Sequence, residues 1–343
     1  MKTGQFTREE IHSQPEAWQE ALAAVEKSSK ALKKLLADDY AQVVFTGCGS
    51  TYYLSLAAAA LFQQMTGHLA RAVPGGELWL HPQVSLIDGR TLLVAVSRSG
   101  STTETVKAVE QFKKENHGPV VAITNDGSQP LAGLADVPLV IEKGQEQSVA
   151  QTRSFASMYV AATAMATVAA NQEGLRESMR RLPEVGVKII TTYEPLAREV
   201  GEDLNLDRFY FLGSGSCYGL ACEISLKMKE MTLTHSEPFH FLEFRHGPMS
   251  MVADSAMVVG LLSDSRRAHE QKVLDEMATL GGHITSLGER DTRVVFQSGL
   301  AESVRGVLYL PVLQMMAYFR SMRKGMDPDR PNHLSAVVTL KLP

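Results

Sequence analysis

The feature that most restricts the fold is a change of period between Thr91 and Phe112. Thr91 to Val96 is an apolar run of the kind found in strands buried on both faces. It breaks at Ser97–Arg98–Ser99–Gly100–Ser101–Thr102, a loop of small hydroxyl residues around one glycine. From Thr102 onward the spacing turns helical, with Val106, Val109 and Phe112 on one side. A strand that ends in such a loop and restarts as a helix leaves backbone N–H groups free at the helix N-terminus. These groups, with the helix dipole, attract an anion, most often a phosphate. The hydroxyls of Ser97, Ser99, Ser101 and Thr102 would add donors. An N-cap with a Ser/Thr-rich turn satisfies the same pattern, and this stretch alone leaves both readings open.

A second junction of this kind precedes it. Gln42 to Thr46 reads as a strand, Gly47–Cys48–Gly49–Ser50–Thr51–Tyr52 as a turn, and Leu54 to Gln64 as an alanine-rich helix. The pattern returns 166 residues later, where Arg208 to Leu212 leads into Gly213–Ser214–Gly215–Ser216 and another helix. Further strands are predicted at Val120–Thr124, Val137–Ile141 and Ala256–Leu262, with a weaker one near His283–Ser286. Helices are predicted at Phe155–Ala170, Ala268–Leu280 and Pro311–Lys324. Strands alternating with helices at this rhythm predict an α/β fold in two related halves. Each half is a parallel sheet flanked by helices on both faces, with ligands bound beyond the carboxyl ends of the strands. The expected division is residues 1–190, opened by a helical segment with Thr7 and Glu10 as a capping box, and residues 191–343.

Composition narrows the function. The net charge of −4 gives no electrostatic case for nucleic acid or an anionic membrane surface. Cys48, Cys217 and Cys222 form neither a disulfide framework nor a CxxC pair, which fits a reducing cytoplasm. No apolar run reaches the length of about 18 residues needed for a membrane span, and Thr7–Glu10 stands where a signal peptide would need an apolar core. The histidines lack HExxH or clustered spacing, so no metal is expected. Gly47-x-Gly49 lacks the third glycine of a dinucleotide fingerprint, so no nucleotide cofactor is expected either.

The helix after Gly213 carries Glu223, Lys227 and Glu230 at i, i+4 and i+7, on one face. Such a stripe is ordinarily a solvated run of salt bridges. Beside a glycine turn in an α/β protein it is also a candidate for acid–base chemistry.

Taken together, the motifs resemble the double sugar-isomerase-domain (SIS) family. The likeness is close to the isomerase half of glucosamine-6-phosphate synthase and to stand-alone amino-sugar-phosphate deaminases and deglycases. It runs from Glu10–Ile11–His12–Ser13–Gln14–Pro15 through both glycine turns, the Ser-x-Ser-Gly-x-Thr loop and Leu226–Lys227–Met228–Lys229–Glu230. It continues in His235-x-Glu237, His246–Gly247–Pro248 and Asp327-x-Asp329-x-Pro331. The resemblance implies two SIS domains, with a C-terminal tail reaching the active site. It implies phosphate contacts from Ser97, Ser99 and Thr102, and sugar contacts from Cys48, Gly49, Ser50, Thr51, Val149, Gln151 and Ser335. Glu230 matches the base that moves a proton between C1 and C2. His246 matches a histidine lent across a homodimer with shared active sites. Lys227 and Glu223 would orient or tune Glu230.

Three positions depart from the synthase. Ala336 stands where its tail has a lysine, Arg98 replaces a glutamine, and Gln151 replaces a serine. Arg98 would add a phosphate contact or lie on the surface. The sequence also lacks a glutaminase nucleophile. The expectation is therefore a cytoplasmic enzyme acting on a 6-phosphorylated amino sugar or sugar–amine conjugate, isomerising it and breaking its C–N bond. The alternatives are an isomerase-only or ammonia-dependent synthase-like activity and, from another class, a non-catalytic sugar-phosphate sensor.

Overall fold

A computed structural model describes residues 2–340, which fall into two compact units, each built on one five-stranded sheet. The first sheet contains β1 (Gln42–Gly47), β2 (Ala70–Pro74), β3 (Thr91–Ser97), β4 (Val120–Thr124) and β5 (Val137–Val140). Their order is β2-β1-β3-β4-β5, with every pair parallel. The second contains β6 (Arg208–Leu212), β7 (His235–Phe239), β8 (Ala256–Leu261), β9 (His283–Gly288) and β10 (Val294–Val295). Its order, β10-β9-β8-β6-β7, is the same arrangement read from the other edge, again all parallel. The predicted pair of parallel sheets flanked by helices is therefore present.

The central strands β1, β3, β4 and β8 are buried at every residue, as their unbroken apolar runs require. Three strands lacked a sequence signature: β2, β7 and the two-residue β10. β2 and β7 lie at sheet edges, are mostly half-buried, and mix polar residues and prolines into their runs. Beneath the first sheet, Val44, Leu93, Val120 and Ala122 pack with Val109 and Phe112 of the helix Thr103–Lys114. On the second, Tyr210, Leu212 and Val258 pack with Leu274 and Met277 of the helix Arg267–Thr279. The helix Arg153–Ala169 is apolar or small all round, and accordingly it is buried from Ser154 to Val168, against the helix Gln14–Leu36.

The chain ends cross over in the grouping. The first sheet's unit comprises Ser13–Glu146, Gln151–Pro183 and the residues from Ser335 onward. The second sheet's unit comprises the residues through His12, Gln147–Ala150 and Glu184–Leu334. The predicted Thr7–Glu10 capping box does not form. The helix begins at Gln5, which places Thr7 inside its first turn. The Thr7 amide and hydroxyl both donate to Asp329 Oδ1 at 2.7 Å, so a carboxylate 322 residues away satisfies this helix start. Glu10 instead accepts from the Ser148 amide at 3.2 Å and from the Ser148 hydroxyl.

Candidate active site

In the first sheet's unit, β1 runs into the helix Ser50–Thr66 through Gly49, at φ +58°. That left-handed conformation suits glycine. The turn is cross-braced. The Cys48 amide donates to Thr51 Oγ1 at 2.9 Å, and the Thr51 hydroxyl donates to the Cys48 carbonyl at 3.0 Å. Ser50 and Thr51 are buried and Gly49 is exposed. Cys48 Sγ lies 3.5 Å from Thr105 Oγ1, and burial pushes its thiol pKa up. Burial raises Cys217 to about 12 and Cys222 to about 11, so all three thiols stay neutral near pH 7.

The neighbouring strand β3 opens into the hydroxyl loop. Ser97 Oγ and Ser99 Oγ lie 3.3 and 3.4 Å from Thr102 Oγ1. The Gly100 amide donates to Ser97 Oγ and the Ser101 amide to Ser99 Oγ, both at 3.2 Å. Gly100 sits at φ +63°, and a Cβ there would come within 2.9 Å of Gln129 Cβ, so this position needs glycine. The helix Thr103–Lys114 starts on the loop, which has the form of an anion cradle.

Arg98 does not lie on the surface. Its side chain is 7% exposed, with Nη1 3.6 Å from Oε2 of a fully buried Glu146 carboxylate. Its Nη2 donates to the Ala336 carbonyl. Glu146 received no role from sequence, yet it organises this region. It accepts from the Thr152 amide at 2.7 Å, the Thr152 hydroxyl at 2.9 Å, the Ser154 amide at 3.1 Å and the Ser154 hydroxyl, capping the helix Arg153–Ala169. Gln151 Oε1 lies 3.4 Å from Ser154 Oγ. Ser335 is exposed and donates to the Val337 carbonyl at 3.0 Å. Val149 falls in the other unit, where its amide donates to the Asp329 carbonyl at 3.0 Å.

In the second sheet's unit, Gly215 repeats φ +58° ahead of the helix Ser216–Thr232. The charged stripe on that helix is not solvated. The side chains of Glu223 and Lys227 are 0% and 1% exposed, and only Glu230, at 20%, reaches the surface. Lys227 Nζ lies 3.4 Å from Glu223 Oε1 and hydrogen-bonds Glu230 Oε2. Burying an ammonium costs several kcal/mol unless carboxylates surround it. A lone buried pair would already meet that need. The third group leaves a carboxylate held by Lys227 at one oxygen and open to solvent.

His246 is exposed, its amide donating to the Glu243 carbonyl at 2.9 Å. Among the described residues, no hydrogen bond or ion pair joins it to Glu230. No group of three or more His, Cys, Asp or Glu side chains among the described residues is placed to hold a metal, and no helix among them is long and apolar enough to cross a membrane.

One loop escaped sequence reading. Ser263–Asp264–Ser265, which follows β8, stands 166 residues after Ser97–Arg98–Ser99. The Ser263 amide and hydroxyl donate to Glu270 Oε2 at 2.7 and 2.9 Å. The Asp264 and Ser265 amides both donate to Glu302 Oε2, at 3.0 and 3.1 Å. Arg305 Nη2 lies 2.7 Å from Asp264 Oδ1.

The chain is similar to known proteins. The family model of the SIS domain matches residues 35–168 and 205–293. The glutamine–fructose-6-phosphate aminotransferase (isomerizing) of Thermococcus kodakarensis is 28% identical over 354 residues, which cover 98% of this chain and 58% of that protein. The Pyrococcus horikoshii enzyme of the same name is 29% identical over 98% of this chain and 58% of its own. The chain thus spans a little over half the length of these relatives. Among solved structures, a glucosamine-6-phosphate deaminase from Thermotoga maritima superposes with a TM-score of 0.81 at 27% identity, covering 97% of this chain and 99% of that one. A tagatose-6-phosphate ketose/aldose isomerase from Escherichia coli shares the fold, with a TM-score of 0.86 at 23% identity over 99% of this chain and 97% of that one.

Proposed function

The chain belongs to the SIS-domain family, and from that premise we propose that it acts on a 6-phosphorylated amino sugar or sugar–amine conjugate, shifting a proton between C1 and C2 and releasing the amine. The observation that carries this reading is the burial of Glu223 and Lys227 beneath a partly exposed Glu230. A solvated stripe has no need of that arrangement, and a general base does.

In this reading the Ser97–Thr102 loop holds the phosphate. Glu230 takes the proton from C2 of the open-chain 2-amino aldose, leaving an enolamine. It returns the proton to C1, giving a C2 imine. Water adds to that imine, and the protonated amine leaves as the C–N bond breaks, yielding the ketose phosphate. Lys227 fixes one oxygen of Glu230 and so sets the direction in which the other points. The exposed His246 fits the role of an acid lent to a second copy of the chain in a homodimer. Glu230→Gln and His246→Ala proteins, each inactive, would then regain activity when their subunits are mixed and exchanged.

The 27% identity to a glucosamine-6-phosphate deaminase over almost the full length of both chains supports amine release. So does Ala336, which supplies no tail amine. The test is ammonia or amine release from 6-phosphorylated amino sugars, with exchange of the C2 proton in D₂O. Release with exchange is the expected result. Exchange without release would reduce the activity to isomerisation, and tight binding with neither would make the chain a sensor.

A further inference from the structure

Arg98 and Ala336 are two of the positions at which this chain departs from the synthase pattern, and they touch each other. Arg98 lies between two serines of the hydroxyl loop, and its guanidinium reaches two partners outside it. One arm pairs with the buried Glu146 carboxylate and the other donates to the Ala336 carbonyl. Glu146 is itself fixed by amide and hydroxyl donors at the start of the helix Arg153–Ala169, so Arg98 is held on a rigid element. Four residues beyond Ala336, the Leu340 amide donates to Thr103 Oγ1 at 3.1 Å, at the first turn of the helix that follows the loop. The tail is therefore tied on both sides of Ser99–Thr102, at residue 98 and at residue 103.

We infer that Arg98 is a positioning residue that latches the tail across the hydroxyl loop through the main chain of Ala336, and is not itself a phosphate ligand. This rests on the reading that the loop holds the substrate phosphate. With alanine at 336 the tail offers its backbone at this point, and a guanidinium has the forked geometry to hold a carboxylate and a carbonyl at once. A latched tail narrows the mouth over the loop. It therefore acts on ligands large enough to extend beyond the phosphate and is nearly indifferent to the bare ion.

The test compares wild type, Arg98→Gln and Arg98→Lys by three measurements: amide exchange of residues 335–340, the Kd for inorganic phosphate, and KM and kcat for a 6-phosphorylated amino sugar. A hydrogen bond from a charged donor is worth about tenfold or more, so Arg98→Gln should speed tail exchange and raise KM by about tenfold. It should change the inorganic phosphate Kd by less than about threefold, since no phosphate contact is lost. Arg98→Lys keeps a cation for Glu146 but lacks the fork. It should keep the thermal midpoint near wild type while releasing the tail, a combination that a purely structural role does not produce. In a chain stopped after Leu334, Arg98→Gln should add nothing further to KM.

A matching loss for inorganic phosphate and sugar phosphate would make Arg98 a direct ligand and overturn the latch, as would unchanged tail exchange in both variants. Failure of the loop reading looks different. Phosphate would then bind Ser99→Ala/Thr102→Ala as well as wild type, while tail exchange still reports on the latch.

Discussion

The helices Ser50–Thr66 and Ser216–Thr232 both start after a glycine at φ +58°, yet at matching positions one carries Ala57, Leu61 and Gln64 and the other Glu223, Lys227 and Glu230. Ala57 and Leu61 are buried apolar contacts, whereas Glu223 and Lys227 are equally buried charges. The loops differ in the opposite sense. The hydroxyls of Ser97 and Ser99 face Thr102 Oγ1 and accept from the Gly100 and Ser101 amides of the same loop. The amides of Ser263–Asp264–Ser265 are taken by the chain's own Glu270 and Glu302. Even the flanking ion pair is reversed, Arg98 with Glu146 in one half and Asp264 with Arg305 in the other. The first half has kept an anion cradle and filled its helix with hydrocarbon. The second has kept the charged helix and filled its cradle with carboxylates. In the proposed function this difference assigns binding to one half and proton transfer to the other.

The largest effect that bears on this division is expected at Glu230. Glu230→Gln keeps shape but removes the base, and should cut turnover by about 10² to 10⁴ while leaving ligand affinity within roughly tenfold. Normal turnover with normal C2 proton exchange would return the stripe to a merely structural role.

The stripe itself comes next. Lys227→Leu leaves two carboxylates without their buried cation and should cost about 3–5 kcal/mol in unfolding experiments. Glu223→Ala with Lys227→Leu, which copies the first half's hydrocarbon, should recover much of that loss. Additive losses would show that the two side chains are not coupled.

Glu302→Ala opens the second cradle. It should cost about 1–3 kcal/mol, part of it regained in millimolar phosphate or sulfate to an extent that wild type does not show. An anion response no greater than wild type's would mean that the two loops are alike in sequence only.

The smallest effect concerns pH. Burial holds the Glu270 carboxyl above its ordinary value of 4.5, so the folded state favours the protonated acid. That contribution is fully present below the ordinary value and is lost as pH rises through the raised one. Glu270→Gln, neutral throughout, should therefore gain on wild type across that window by under about 1 kcal/mol, read as the difference in thermal midpoint between the two proteins at each pH. A difference that runs the other way would show that the Ser263 donors outweigh burial.

Much of this is legible in the sequence. Unbroken apolar runs marked β1, β3, β4, β6 and β8, and the glycine turns marked the repeat. The helix after the first turn was expected from Leu54 but starts at Ser50, because short polar residues at a helix start read as loop. The edge strands β2 and β7 were missed because half-burial and polar residues erase their signature, whereas the edge strand β5 keeps a mostly apolar run. The stripe's spacing was visible, but Glu and Lys at i and i+4 look the same on a wet face and in a core. The second cradle was hidden because charged residues stand where the first has small ones. Glu146 was invisible as a hub, since its donors are amides and hydroxyls that any loop could supply.

The hold of Asp329 on the helix Gln5–His12 also has a bearing on how the chain is made. At a synthesis rate of about 5–20 residues per second, the 322 residues between Thr7 and Asp329 take roughly 15–65 s to emerge. An eight-residue helix is too short to persist alone in water. The helix is thus made long before the carboxylate that holds its start. Its capture by Asp329 waits until nearly all of the second sheet's unit has been made.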